Sequence, residues 1–252
     1  MMALRVSTLI LVLAVSAFGE PALLDLKKAA EAGDQIAQKQ LTQRYEQSLK
    51  FSEAEFWYRK IALTGDPEVL QALGRFYCDG KPAMSGSAGV KANPTNGIAL
   101  ITLAAVQGHK SSQRDLAYAF NKGKLVPYNR IRAYQLLRLS GSPGDKYMID
   151  RMILEMPTAE VEQAEAEAKA FKPTPFREAF LQLTRGTLQL QGIAGYSASK
   201  GKQISVINGQ TIEPGKTIIV QVASIPVPIR CVAIETRSVT VEFFGVTEVI
   251  GK

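Results

Sequence analysis

The sequence predicts an α+β fold in separate domains, with an N-terminal α-helical solenoid followed by a small all-β barrel or sandwich. Three observations predict this fold. Glycines recur in the first half of the chain, each followed by a leucine and an aromatic residue at fixed distances. Pro173 and Pro175 then interrupt the helical periodicity. Beyond them the chain is rich in Val, Ile and Thr, which are typical of β-strands.

The composition narrows the class of protein. The 252 residues are enough for one large domain or two small ones, and 46% of them are hydrophobic, which suits a globular fold. The net charge of +7 is spread along the chain, without a run rich in Lys and Arg. Proteins that bind nucleic acids usually cluster their basic residues on one element, so a nucleic-acid partner is not predicted.

The first residues have the layout of a secretory signal peptide. Arg5 precedes an apolar run over residues 6–15, and small residues follow it. We therefore predict a signal peptide at residues 1–19 and an exported protein, periplasmic or associated with the bacterial envelope. The alternative is an uncleaved anchor, but the apolar run is shorter than the roughly 20 residues of a membrane span. No later segment is apolar over a sufficient length to predict one.

The helical half begins with a repeat. Gly33, Gly65 and Gly108 are each followed by leucine at +8 and by an aromatic residue at +12. Those two positions are four apart and share one helical face, so they should be buried between paired helices. The six residues are Leu41, Tyr45, Leu73, Tyr77, Leu116 and Phe120.

The residues around these glycines predict helix ends and starts. Glycine supplies the left-handed conformation that ends one helix, and a polar residue directly after it begins the next. Asp34, Asp66 and His109 occupy that second position. A weaker fourth copy surrounds Gly141, and residues 81–96, rich in Gly, Pro, Ser and Asn, form an insertion between two helices of one repeat.

This pattern resembles the Sel1-like repeat family, a relative of the tetratricopeptide repeats. The resemblance rests on G-D-x6-L-x3-Y-x2-G from Gly65, together with the preceding segment AEFWYRKIALTG at residues 54–65. It implies a solenoid of stacked helix pairs over residues 20–172 that binds a protein or peptide partner. Polar positions outside the buried register form a possible partner-binding strip of mildly basic character. These are Gln38, Arg44, Gln71, Arg75, Gln113 and Arg114.

The tail predicts a small β-domain at residues 184–252, after a linker or extra helix at residues 173–183. Asn208-Gly209 lies between β-forming residues and predicts a hairpin turn. Pro226 and Pro228 indicate an edge or a bend in one of five or six short strands. The segment from Leu188 to Val220 resembles small periplasmic domains of secretion and pilus-assembly proteins, which implies subunit contacts. A purely structural role is the alternative.

Catalytic and cofactor motifs are not evident in the sequence. The single histidine, His109, occupies a helix start, and no nucleophile, metal-ligand or nucleotide-binding motif accompanies it. Cys78 and Cys231 are too few for a disulfide framework, so two free thiols are expected, with one bridge between the domains left open. The sequence thus predicts no cofactor and a non-enzymatic adaptor or assembly factor.

Two other functions remain as alternatives. An envelope hydrolase would need two catalytic carboxylates, and the tail offers Glu213, Glu235, Glu242 and Glu248. A glycan-binding protein would use exposed aromatic residues, and the tail offers Tyr196, Phe243 and Phe244. In both alternatives the solenoid is an accessory to the tail.

Overall fold

The computed structural model describes residues 19–194, 203–243 and 245–251. The predicted signal peptide at residues 1–19 lies outside these ranges except for Gly19, and so do Tyr196 and Phe244. Within the described ranges the chain forms ten α-helices followed by two antiparallel sheets. None of the helices in that part of the chain combines the length and the hydrophobicity of a membrane span.

Helices and their connections occupy residues 19–187. A short 3-10 turn, Pro143–Asp145, precedes the eighth. The helices are α1 (Gly19–Glu31), α2 (Gln35–Gln47), α3 (Phe51–Ala62), α4 (Pro67–Asp79), α5 (Pro94–Val106), α6 (Lys110–Lys122), α7 (Arg130–Ser140), α8 (Lys146–Glu155), α9 (Thr158–Ala170) and α10 (Phe176–Thr187).

The helix ends follow the predicted chemistry. Gly65 and Gly108 have φ angles of +80° and +87°, in the left-handed region that favours glycine. Asp66 accepts hydrogen bonds from the N–H groups of Glu68 and Val69, at 2.9 and 3.4 Å, and so caps α4. His109 also begins a helix, but its Nδ1 lies 2.8 Å from the Ser112 hydroxyl instead of a backbone N–H.

The repeat register is buried as predicted. Leu41 and Leu73 are 0% exposed and Leu116 is 6% exposed. Tyr77 is 4% exposed, whereas Tyr45 and Phe120 are half-buried and pack against the core. The shared register therefore places the repeated side chains inside the helical array, which confirms the repeat interpretation.

Side chains connect helices of neighbouring repeats. Lys39 of α2 forms an ion pair with Asp66 at the start of α4. Arg130 of α7 forms one with Glu160 of α9, and the Tyr134 hydroxyl donates to Glu165 of α9 at 2.8 Å. These contacts place α2 beside α4 and α7 beside α9.

The insertion between α4 and α5 is a short, anchored loop. Lys81 and Val90 pair across its base through two backbone hydrogen bonds of 2.8 Å. At its tip the buried Ser87 hydroxyl bonds to Ser52, at 2.8 Å, and to Glu53 at the start of α3. The predicted insertion is therefore fixed on the solenoid, and α5 already begins at Pro94.

After α9 the chain turns back along the solenoid. The Thr174 N–H donates to the Val106 carbonyl at 2.7 Å, at the end of α5. A Cβ atom on Gly65 would lie 2.4 Å from the ring of Phe176, so α10 is packed directly on the turn between α3 and α4. The alternative of an extra helix describes residues 176–183 better than a linker does, because Phe176 and Phe180 share one buried face.

Among the described residues, seven strands follow α10, whereas five or six were expected. The first three form one sheet in the order β1-β2-β3, and the other four form a second in the order β4-β5-β6-β7. The strands are β1 (Leu190–Ala194), β2 (Ile204–Ile207), β3 (Gln210–Ile212), β4 (Thr217–Val222), β5 (Ile225–Ile234), β6 (Ser238–Phe243) and β7 (Val246–Gly251).

The structure confirms the predicted hairpin turn at Asn208-Gly209 and the predicted edge at Pro226 and Pro228. Ile207 pairs with Gln210 across Asn208-Gly209, whose φ angles are +49° and +77°. Pro226 and Pro228 lie in the half of β5 that pairs with β4 alone, because the β6 partners of β5 begin at Arg230. That half of β5 is a local edge, where the missing proline N–H costs no sheet hydrogen bond.

One cluster of buried side chains joins the helices to the sheets. It runs from Leu73 of α4 and Leu100 of α5 through Phe180 of α10 to Val227 and Val241 in the sheet. The predicted domain boundaries at residues 172 and 184 stay predictions. Cys78 and Cys231 are both unpaired, and the second is buried.

Candidate partner-binding groove

The predicted strip lies on α2, α4 and α6, but its glutamines serve the fold. Gln113 is 2% exposed and donates from Nε2 to the Ala105 carbonyl at 3.2 Å. Gln38 makes the equivalent hydrogen bond to the Ala30 carbonyl at 2.9 Å. Gln71 is 7% exposed and donates to Ser111 and Asp115 of α6. Sequence reasoning placed these side chains on the surface, and the structure places Gln71 and Gln113 inside.

Two of the three cations of the strip are paired. Arg75 binds both oxygens of Asp115, at 2.7 and 2.8 Å. Arg114 binds Asp145, a fully buried carboxylate that also accepts from the Tyr118 hydroxyl at 2.8 Å. Of the predicted set, only Arg44 is an exposed cation that forms no ion pair with another described residue. The strip is therefore close to neutral, and its polar groups mainly connect repeats.

A wider site lies where the β4–β5 hairpin meets the solenoid. It is a groove of about 680 Å³ between the two parts of the chain. Helices α3 and α4 supply Glu55, Arg59 and Tyr77, the end of the insertion supplies residues 90–94, and the hairpin supplies Gln221 and Ser224. We call this site the hairpin groove.

Three polar contacts fix the hairpin on the solenoid. Arg59 donates from Nε to the Ser224 carbonyl at 2.8 Å and from Nη2 to Gln221 Oε1 at 3.2 Å. Asn96 of α5 donates from Nδ2 to the Ser224 hydroxyl at 2.6 Å. The turn residues Ala223 and Ser224 have φ angles of +50° and +67°, which costs conformational energy in residues other than glycine. The contacts with Arg59 and Asn96 offset that cost.

In the hairpin groove the acidic residue is engaged by a neighbour, and two cations lie at the wall. Burial raises the pKa of Tyr77, and the nearby Glu55 carboxylate, which accepts from its hydroxyl at 2.7 Å, raises it further. Tyr77 therefore stays protonated, and its hydroxyl donates a hydrogen bond to Glu55. Arg59 and Lys91 supply positive charge at the wall of the groove, and Lys91 is exposed.

The side-chain amides of the groove use their oxygens within the chain. Asn93 uses Oδ1 to accept from the N–H of Asn96 at 3.2 Å, where it caps α5. Gln221 uses Oε1 to accept from Arg59. Their amide nitrogens, together with the Lys91 ammonium, have no hydrogen-bond partner among the described residues. The groove can accordingly bind a ligand rich in acceptor oxygens.

Three of the residues offered for the alternative sites are engaged elsewhere in the described part of the chain. Glu242 pairs with Arg230, while Glu248 pairs with Arg185 of α10. Glu242 is opposite Thr247 in the sheet, so Glu242 and Glu248 point to opposite faces. Phe243 is 2% exposed and belongs to the core, which contradicts its proposed role in glycan binding. Within the described residues, no group of three or more His, Cys, Asp or Glu side chains could hold a metal ion.

The comparisons with known proteins identify the fold. Four chains of known structure match this protein. One is the crystal structure of a protective antigen present in uropathogenic Escherichia coli strains and displaying an SLR fold, where SLR stands for Sel1-like repeat. The two chains are 22% identical with a TM-score of 0.50. The helical solenoid has the Sel1-like repeat fold.

This likeness extends to the fold alone. The alignment covers 71% of this chain and 38% of that chain, so this chain spans well under half the length of the antigen. No protein-family model matches the sequence, and no curated protein matches it. The resemblance of the tail to periplasmic domains of secretion and pilus-assembly proteins stays a prediction.

Sequence reasoning missed the hairpin groove. Its walls come from α3, from the insertion and from a hairpin more than 160 positions further along the chain, as in the contact of Arg59 with Ser224. One signal was available, because the insertion ends in Asn93-Pro94, a helix start that fixes a polar side chain at the groove.

Proposed function

We propose that this protein is an exported, non-enzymatic adaptor or assembly factor of the bacterial envelope, and that it binds a protein partner in the hairpin groove. The observation that carries the proposal is the set of unpartnered donors on Lys91, Asn93 and Gln221 beside a space of about 680 Å³. A Sel1-like repeat fold is a rigid frame of the kind on which partner-binding surfaces are built.

The charges of the solenoid support the choice of this site over the predicted strip. Arg75 and Arg114 are already bound to carboxylates, so a partner would have to displace an internal ion pair to use them. Lys91 needs no such displacement. The strip remains a prediction, with Arg44 as its most accessible member.

The proposal of a non-enzymatic role rests on the residues that surround the groove. Glu55 is the single carboxylate among the residues that line it, and it is engaged by Tyr77. Acid–base catalysis would need a proton acceptor free to reach a substrate. The groove instead offers donors, which suits binding.

Affinity capture from an envelope extract tests the proposal. The full mature chain would be compared with Gln221→Trp, which fills the groove without changing the charge. Thr217→Trp is the matched control, because Thr217 is exposed on the same face of β4 outside the groove. We expect a partner that binds directly after purification, that Gln221→Trp loses and that Thr217→Trp retains. Equal binding by both variants would contradict a role for the groove.

Export is tested separately by cell fractionation. Release of the protein by osmotic shock, with an N-terminus near residue 20, is the expected result, because small residues follow the short apolar run. Recovery of the intact N-terminus from the membrane fraction would favour an anchor and contradict the predicted cleavage.

A further inference from the structure

We infer that the hairpin groove selects an acidic segment of the partner, bound by its carboxylates and backbone carbonyls. This inference rests on the proposed function and adds the chemistry of the partner to it.

The donors of the groove define that chemistry. Lys91 is exposed and forms no ion pair among the described residues. Arg59 donates from Nε and Nη2 to the hairpin, so the remaining N–H groups of its guanidinium can donate to a ligand. The amide nitrogens of Asn93 and Gln221 are also left over, because their oxygens are engaged. A carboxylate is the side-chain group that accepts from cations and amides together.

The same charges argue against a dense polyanion. Only Arg59 and Lys91 are cationic in the lining, and Glu55 places one carboxylate among them. A nucleic acid binds through many phosphate contacts, which two cations do not supply. A peptide carries fewer charges for its length, and its carbonyls can accept from the amides of Asn93 and Gln221. An acidic peptide therefore fits the groove better than a polyphosphate chain.

The hairpin turn keeps these donors in place before a ligand arrives. Ala223 and Ser224 have the left-handed backbone angles of a two-residue hairpin turn, and Arg59 and Asn96 bind this turn. Gln221 lies two residues before this turn, so its amide is held at the edge of the groove. A site whose donors are fixed in advance loses less entropy when it binds.

Fluorescence anisotropy with three labelled decapeptides tests the inference on the mature chain. The probes alternate Thr with Glu, Gln or Lys, and carry the same uncharged dye. We expect the Glu probe to bind the mature chain more tightly than the Gln probe, the Lys probe to bind least, and salt to weaken the Glu probe. Lys91→Gln should weaken the Glu probe about threefold, and Arg59→Gln with Lys91→Gln about tenfold.

Two controls separate charge from folding. Lys60→Gln removes a cation from the same helix as Arg59 but outside the groove, so it should leave the Glu probe unchanged. Asn96→Ala weakens the attachment of the hairpin without changing the charge. If it weakens binding of the Glu probe as much as Lys91→Gln does, the position of the hairpin determines binding, and not the charge of Lys91. Because Lys91 is exposed and forms no hydrogen bond or ion pair with another described residue, its variant should fold normally.

The outcomes distinguish the two claims. Equal binding of the Glu and Gln probes, or no effect of Lys91→Gln, overturns the acidic inference. If the captured partner still fails to bind Gln221→Trp, the proposed function stands without the acidic inference.

A further experiment uses vesicles rich in phosphatidylglycerol. Cosedimentation that Lys91→Gln abolishes, without binding of the Glu probe, would assign the groove to anionic lipid and overturn the peptide proposal.

Discussion

Gln113 and Gln38 occupy equivalent repeat positions and make the same hydrogen bond. Each donates from Nε2 to the carbonyl of the alanine eight positions earlier, Ala105 at 3.2 Å and Ala30 at 2.9 Å. Each bond ties the helix after the glycine to the end of the helix before it. Two side chains that the sequence assigned to a binding surface therefore hold the helix pairs together.

Replacement of Gln113 should lower stability and leave binding intact. Gln113→Ala removes a buried hydrogen bond, and we expect a loss of about 1–2 kcal/mol in the free energy of unfolding, measured by urea denaturation. Arg44→Ala is the control, because Arg44 is exposed and should change stability by less than about 0.5 kcal/mol. If the Gln113→Ala protein is as stable as the native protein but no longer binds the partner, Gln113 acts in partner binding and this account is wrong.

The leucine of the central repeat should be essential to the core. Leu73 is 0% exposed, and Leu73→Ala should cost about 2–5 kcal/mol, because it removes contacts and leaves a cavity. Ile36→Ala removes an aliphatic side chain that is 70% exposed and should have little effect. Thermal and urea unfolding of both variants measures the difference. Similar small losses in the two proteins would contradict the buried register.

Gly65 and Gly33 form a matched pair for testing how α10 packs on the solenoid. Both have positive φ angles, so alanine strains the backbone at either position. At Gly65 the new Cβ would also meet Phe176 at 2.4 Å, whereas nothing lies within 4 Å at Gly33. Gly65→Ala should therefore lose more stability than Gly33→Ala. The additional loss should shrink when Phe176→Ala is added, and an equal loss at both glycines would refute this packing.

Asp66 should contribute stability that disappears in acid. Burial tends to raise the pKa of Asp66, but Lys39 and the N–H groups of Val69 and Glu68 outweigh it and lower the pKa below 3.8. A lowered folded-state pKa stabilises the fold above the unfolded value, and the benefit is lost as pH falls through the folded value. Asp66→Asn keeps a cap but no charge, so its stability should fall short of the native protein at neutral pH.

That difference should persist from neutral pH down to about pH 4, near the unfolded value, and should close as the pH falls further through the folded pKa. Urea midpoints across the range measure it, and Lys39→Gln should reduce the pH dependence because it removes one cause of the shift. A gap that stays constant with pH would show that the charge of Asp66 adds nothing to its role as a cap.

The repeats were predictable because their signals are local. Gly65, Asp66, Leu73 and Tyr77 fall within one helix and its start, so spacing alone assigns a backbone conformation, a cap and a buried face. The Asn208-Gly209 turn is equally local, since a two-residue hairpin needs positive φ angles at both positions. Such features follow from the conformational preferences of a few adjacent residues.

The hairpin groove was not predictable from local sequence signals. Its geometry depends on the contacts of Arg59 and Asn96 with Ser224, which join distant parts of the chain. Neither contact leaves a periodic pattern. The charge of the strip was not predictable for a related reason, because the sequence shows that Arg75 and Arg114 are cationic but does not show that Asp115 and Asp145 pair with them.

Chemical-shift mapping by NMR tests the central claim most directly. Titration of the isotope-labelled mature chain with the Glu probe should shift the amides of residues 90–93, Gln221 and Ser224 and the Arg59 Nε–H signal, since these groups line the hairpin groove. The amides of α2 and α6 around Arg44 and Arg114 should stay unchanged. Shifts confined to those two helices, or a titration that leaves the residues of the groove unmoved, would contradict the account.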